Sequence, residues 1–145
     1  MKVRVKRLTE TASLPEYGSA GAAGADLRAD LADKITIAPG ETAMIPTGLS
    51  VEVPEGYAAF IYARSGMAAK RGLAPANKVG VIDSDYRGEV KIALHNHGRE
   101  PQEIVPGDRV AQMVIAPVIA ADFTEADGLC DTDRGEGGFG STGTR

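Results

Sequence analysis

Between Asn77 and Val90 the chain gathers a carboxylate, an aromatic ring and turn-forming glycines: Asn77-Lys78-Val79-Gly80-Val81-Ile82-Asp83-Ser84-Asp85-Tyr86-Arg87-Gly88-Glu89-Val90. A carboxylate is a possible acid–base group, and an aromatic ring offers an apolar face. The apolar runs on either side read as strands. Paired with each other, they would present Asp83 and Tyr86 on a tight bend, with a glycine on either side opening the backbone to the ligand. An acidic turn without chemistry is the plainer reading. The spacing of Asp83, Asp85 and Gly88 touches on a calcium loop, but Arg87 and Leu94 stand where such a loop needs oxygen ligands, which excludes it.

Three other stretches carry candidate chemistry. Arg64-Ser65-Gly66 sits where a strand is expected to pass into a helix, and the N–H groups of a helix start together with a guanidinium suit phosphate oxygens. By itself the tripeptide is more simply a serine cap beside a solvated arginine. Gln112 is a polar residue in the apolar alternation Val110-Ala111-Gln112-Met113-Val114, so it needs a partner, in the fold or in a ligand. The tail from Arg134 to Gly143 contains a literal G-x-G-x-x-G, but no βαβ unit surrounds it and the Gly-Lys-Ser/Thr ending of a phosphate loop is missing. Its composition is that of a flexible linker, except that one guanidinium (Arg134) and one ring (Phe139) are what a lid over a base and its phosphates would need.

The elements that must position these residues are short and frequently interrupted. Strands are predicted at Val3 and Val5, Ile35–Ile37, Ala43–Ile45, Leu49–Val53, Tyr57–Ala63, Val79–Ile82, Val90–Asn96, Glu103–Val105, Arg109–Pro117 and Ala120–Phe123. Turns at Pro39-Gly40, Pro54-Glu55-Gly56 and Pro106-Gly107 punctuate them, which is the pattern of an all-β barrel or sandwich. One helix is expected, capped by Ser65, running through Met67-Ala68-Ala69-Lys70-Arg71 and stopped by Gly72. His95-Asn96-His97 reads as a strand end before Gly98. At 145 residues the chain is one domain with enough surface to bury a core, and its 25% charged content is that of a globular protein. A net charge of −4 argues against a general nucleic-acid coat. A single cysteine, Cys130, and two histidines, His95 and His97, exclude a disulfide framework or a His/Cys zinc site within one chain. There is no signal-peptide pattern and no apolar run of about 18 residues, which predicts a soluble, cytoplasmic protein without membrane association.

Taken together, five stretches resemble the homotrimeric dUTPase family, in the same order, from about Leu8 to Gly143. They are Ala23-Gly24-Ala25-Asp26-Leu27-Arg28-Ala29, Arg64-Ser65-Gly66-Met67-Ala68, Asn77 to Val90, Pro106 to Pro117, and Arg134 to Gly143. Two departures are visible: Ala63 precedes Arg64 where the family often has proline, and Met67 stands where leucine is common. The resemblance implies a jelly-roll-like β-barrel over residues 1–133 and a flexible, substrate-closing tail over 134–145. It implies hydrolysis of dUTP to dUMP and pyrophosphate with magnesium, which keeps uracil out of DNA and supplies dUMP for thymidylate synthesis. In that scheme Asp83 is the general base that activates a water, and Asp26 holds magnesium through water. Arg64, Ser65, Gly66 and Gln112 hold the phosphates. Asn77 and the main chain of Val81 and Ile82 read the uracil edge, and Tyr86 packs on the deoxyribose and excludes a 2′-hydroxyl. Lys91 is a peripheral contact, Arg134 reaches the γ-phosphate, and Phe139, followed by Gly140, stacks on uracil. The active sites are shared between chains of the trimer. A dCTP deaminase, which shares the fold, and a non-catalytic trimeric module with an inherited nucleotide pocket are the competing readings; Asp83 beside Tyr86 favours the first scheme.

Overall fold

The computed structural model describes residues 1–138. Short period-2 segments bounded by Gly and Pro turns form twelve strands and a single helix among these residues. In chain order the strands are β1 (Arg4–Arg7), β2 (Glu16–Tyr17), β3 (Ala25–Arg28), β4 (Ile35–Ile37), β5 (Thr42–Pro46), β6 (Leu49–Glu52) and β7 (Tyr57–Tyr62). Helix α1 (Ser65–Arg71) follows, then β8 (Leu73–Pro75), β9 (Gly80–Ile82), β10 (Lys91–Asn96), β11 (Gln102–Ile104) and β12 (Arg109–Pro117).

Every pairing is antiparallel. A five-stranded sheet runs β2-β3-β12-β7-β9, a three-stranded sheet runs β5-β10-β8, and β11-β4 and β1-β6 form separate pairs. The alternation in β10 shows how these sheets hold a core. Ile92, Leu94 and Asn96 point inward while Lys91 is exposed and Ala93 and His95 are half-buried. From the larger sheet Leu27, Ile61, Ala111 and Met113 join Ile45, Leu73, Ile92 and Leu94 in one apolar cluster. Each of the Leu, Ile and Met side chains stabilises the fold by about 1.5–3 kcal/mol through the apolar area it hides. Asn96 is fully buried and fully used: its Nδ2 donates to the Ile37 and Glu100 carbonyls at 2.9 and 2.8 Å, and its Oδ1 accepts from Gly98 N at 2.9 Å. It ends β10 where the sequence places a strand end.

The structure departs from expectation in four places. First, β9 and β10 do not pair with each other. β9 adds to β7 in the larger sheet, while β10 lies between β5 and β8 in the smaller one, so Asp83 to Val90 is a crossover between sheets and not a hairpin bend. The redirection comes from Val90, which is fully buried and donates its N–H to the Leu49 carbonyl at 2.8 Å. Second, Ser65 is the first helical residue and Arg64 is the N-cap, extended at φ −85°, ψ 133° and without a side-chain cap bond. The helix begins one residue earlier because the Arg64 carbonyl accepts the Ala68 N–H at 3.0 Å. Gly72 stops it as expected, left-handed at φ 65°. Third, β2, β3 and β8 form in stretches too short or too Gly/Ala-rich to read as strands. Fourth, Ala120–Phe123 is not a strand. Ile119 and Phe123 are 95% and 93% exposed, and among the described residues no strand pairs with this segment.

Candidate functional site

The polar candidates gather into two hollows. In the first, β12 supplies the centre: Gln112 stands opposite Asp26 of β3 on one side and opposite Tyr62 of β7 on the other. Two residues past Tyr62 the chain reaches Arg64 and turns into α1. The resulting cleft, about 390 Å³, is lined by Gly24, Asp26, Arg64, Ser65, Gly66, Arg109 and Gln112 together with Gly18 and Ala22. Gln112 donates from Nε2 to the Ala63 carbonyl at 2.9 Å and so braces the strand-to-helix corner while keeping its Oε1 toward Gly24. A Cβ on Gly24 would sit 2.5 Å from that oxygen, so this glycine leaves room for the glutamine in its bonded position.

Asp26 organises the electrostatics. Its Oδ1 accepts from Arg64 Nε at 2.6 Å and its Oδ2 from Arg109 Nη1 at 3.2 Å, with the carboxylate 12% exposed. Two guanidinium groups on one carboxylate leave a surplus positive charge facing the cleft, which suits a polyanion. Arg109 was not singled out by the sequence reasoning. The available signal was its place at the mouth of β12, directly after the Pro106-Gly107 turn and beside the strand that carries Gln112.

The second hollow, about 260 Å³, is walled by Met44, Val81, Ile82, Asp83, Tyr86, Glu89 and Lys91. β9 delivers Asp83 at its end, and Tyr86 N donates to the Asp83 carbonyl at 3.2 Å, closing a turn. Arg87 folds back on the same turn, donating from Nη1 to the Ser84 and Tyr86 carbonyls at 2.6 and 2.9 Å. The Tyr86 hydroxyl donates to the Glu89 carbonyl at 3.1 Å, which lays its ring across Gly88. Both flanking glycines thus make room for the protein's own side chains: a Cβ on Gly88 would collide with the Tyr86 ring, and one on Gly80 would press Ile61 at 3.1 Å. Lys91 is held by Glu89 at 3.4 Å. Asn77 is exposed on the turn before β9, with its Nδ2 toward Gly80, and is not one of the walls of this hollow.

Arg134 lines neither hollow; its Nε donates to the Gly137 carbonyl at 2.6 Å within its own turn. Phe139 and Gly140 lie outside the described residues. Strand register sets the distance between the two hollows. Ile82 faces Ala59 and Gln112 faces Tyr62, so Asp83 and Arg64 leave opposite ends of β7, roughly 20 Å apart at the rise of an extended strand. Among the described residues no helix is long and apolar enough to cross a membrane.

With this geometry in place, the chain can be set beside known proteins. The dUTPase family profile matches residues 10–143. The deoxyuridine 5'-triphosphate nucleotidohydrolase of Desulfitobacterium hafniense (strain Y51) is 54% identical over 99% of this chain and 95% of its own length. That of Bdellovibrio bacteriovorus is 53% identical over 99% and 97%. Among solved structures, the dUTPase of Staphylococcus bacteriophage 80alpha with dUpNHpp superposes with a TM-score of 0.90 at 28% identity, covering 98% of each chain. A mutant dUTPase of phage phi11 of S. aureus, described with a structural Mg(II) ion, superposes with a TM-score of 0.81 at 26% identity, covering 89% of this chain and 99% of that one. The cleft, the Asp83 loop, the antiparallel β architecture and these matches agree: the chain belongs to the dUTPase family.

Proposed function

We propose that this protein hydrolyses dUTP to dUMP and pyrophosphate, lowering dUTP so that uracil stays out of DNA and providing dUMP for thymidylate synthesis. Asp83 takes a proton from a water as that water attacks the α-phosphorus in line. The new bond joins the water oxygen to the α-phosphorus, the bond to the bridging oxygen breaks, and pyrophosphate leaves. The carrying observation is the pair of hollows, each holding one half of the needed chemistry. One has a guanidinium pair with Ser65, Gly66 and Gln112 for phosphates; the other has Asp83 and Tyr86 for the water and the sugar. Asn77 with the Val81 and Ile82 backbone reads uracil, Tyr86 stands against the 2′ position, and Lys91 is peripheral. In the closing tail, taken as residues 134–145, Arg134 meets the γ-phosphate and Phe139 with Gly140 covers the base.

The halves are roughly 20 Å apart along β7, yet a base must touch the α-phosphate it serves. A complete site therefore draws Asp83 and the phosphate cleft from different chains of a homotrimer. The arm after β12 fits this arrangement, because Ile119, Phe123 and Leu129 are each over 90% exposed and would be buried against a neighbour.

The donor set suits magnesium carried in by the triphosphate rather than caged by protein. Asp26 is the one carboxylate lining the cleft, both its oxygens are engaged by arginines, and among the described residues no three His, Cys, Asp or Glu side chains converge. Asp26 would hold the ion through water, and the ion would neutralise charge on the phosphate chain. We place the protein in the cytoplasm, with dUTP as its partner and no nucleic acid or membrane. Pyrophosphate release from dUTP, dTTP, dCTP and UTP, measured side by side, tests the reading. Release from dUTP alone is expected; ammonia from dCTP would indicate a deaminase, and no turnover of any of the four a binding module.

A further inference from the structure

Among the described residues three polar side chains are buried in the body of the protein: Asn96, which closes β10, and Thr47 and Ser50. Thr47 lies in the short link between β5 and β6, Ser50 lies in β6, and both hydroxyls bond to the crossover. Thr47 Oγ1 donates to the Val90 carbonyl at 2.6 Å, and Ser50 Oγ donates to the Arg87 carbonyl at 2.8 Å. Between them, Gly48 N donates to Glu89 Oε1 at 2.9 Å, and the Leu49 carbonyl accepts from Val90 N at 2.8 Å. Four consecutive residues, Thr47 to Ser50, thus each make one bond to the stretch from Arg87 to Val90.

The arrangement has a physical reason. β6 pairs only with β1, so its other edge is open, and the Asp83–Val90 crossover has no ladder partner for its own carbonyls. The bonds within the crossover, from Tyr86 and Arg87, give it a shape but do not attach it to the body. Apart from a long, exposed ion pair between Arg87 and Glu52 of β6 at 3.9 Å, attachment comes from the Thr47–Ser50 side. A valine would fill the space of Thr47 equally well and bury no hydroxyl, so the oxygen is there for the carbonyl it meets. The Tyr86 hydroxyl bonds to the Glu89 carbonyl, which lies between the two braced residues, so the ring inherits its position from this brace.

We propose that Thr47 and Ser50 are positioning residues for sugar selection: by bracing Arg87–Val90 they hold the Tyr86 ring where it excludes a 2′-hydroxyl. This rests on the reading of Tyr86 as the wall against ribose, and the experiment separates the two. Thr47→Val, Ser50→Ala and the double variant are compared with Tyr86→Ala and with Thr47→Ser, which restores the hydroxyl. The readouts are kcat/KM for dUTP, UTP and dCTP, and hydrogen exchange of the peptide containing residues 83–90. A lost buried hydrogen bond should raise the UTP-to-dUTP ratio roughly fivefold in each single variant. dCTP should stay refused, exchange in the loop should quicken, and Thr47→Ser should return the ratio to that of the parent. Loss of stability alone would lower all activities together and leave the ratio unmoved. A ratio raised by Tyr86→Ala but unmoved in both hydroxyl variants overturns the brace. A ratio unmoved in Tyr86→Ala overturns the sugar-wall reading, and the role of the brace in selection with it. Should Thr47→Val not fold, Ser50→Ala, at the rim of the same brace, decides between the same outcomes.

Discussion

Asp83, proposed as the base, and Gly88, which lies beneath the Tyr86 ring, can each be tested by a single substitution. Asp83→Asn keeps the size of the carboxyl and one acceptor but cannot take a proton, so kcat should fall by 10²-fold or more, on the order of what a general base contributes. Binding of a non-hydrolysable dUTP analogue should change little; calorimetry with the analogue and a turnover assay check the two halves, and residual turnover within about tenfold of the parent would remove Asp83 from the role of base. If Tyr86 selects the sugar as proposed, Gly88 bears on that selection from the other side. A Cβ there collides with the outer end of the Tyr86 side chain, which can swing aside, and not with backbone. Gly88→Ala should therefore fold with nearly the parent's urea midpoint yet admit UTP more readily, the same direction expected of Tyr86→Ala. An unchanged UTP-to-dUTP ratio would show that the ring need not lie where Gly88 lets it.

At the scale of elements, the glycine after α1 makes the clearest stability prediction. Gly72 is left-handed at φ 65°, and a Cβ there would meet the Gly98 backbone nitrogen at 2.8 Å while the Gly72 carbonyl accepts from His97 N at 2.8 Å. Backbone cannot step aside as a side chain can, so Gly72→Ala should cost about 2 kcal/mol or more, read as a lower urea midpoint with an unchanged m-value. The same helix shows what a sequence reveals about elements. Its stop was legible because few residues other than glycine accept that φ, whereas its start was misjudged because an extended Arg64 performs the cap with main chain alone. The long alternating strands β10 and β12 were legible from their period. β3 was not, because Ala25-Asp26-Leu27-Arg28 follows a Gly/Ala-rich run and its strand state is imposed by pairing with β12. Period also says nothing about partners: the runs flanking Asp83 are both strands, yet their neighbours are β7 on one side and β5 and β8 on the other. Of the candidate site, Arg64 and Gln112 were singled out from their own patterns and Asp26 only through the family resemblance; the three line one cleft. Arg109 was passed over because its contact with Asp26 crosses 83 residues and exists only once β3 lies beside β12.

At the scale of the whole molecule, the proposed supply of Asp83 and of the closing tail by different chains becomes a measurable property of mixtures. If Asp83 comes from one chain and the closing tail from another, two inactive variants can repair each other. The first is Asp83→Asn with the tail intact; the second ends after Asp133 and keeps Asp83. Each homotrimer should be nearly inactive, the first without its base and the second without Arg134 and Phe139. Refolded together in equal amounts, they should regain activity in up to roughly a quarter of the sites. A working site needs an intact base from one chain and an intact tail from a different one, and random mixing gives each with a chance of about one half. The exposed arm beyond β12 is long enough to matter here: it contains no strand or helix through residue 138 and keeps its large apolar side chains in solvent, which suits burial against a neighbouring chain. A site completed within one chain predicts no recovery at any ratio. Native mass spectrometry would confirm that mixed trimers had formed, and activity that then stayed at the level of the separate variants would refute the shared site.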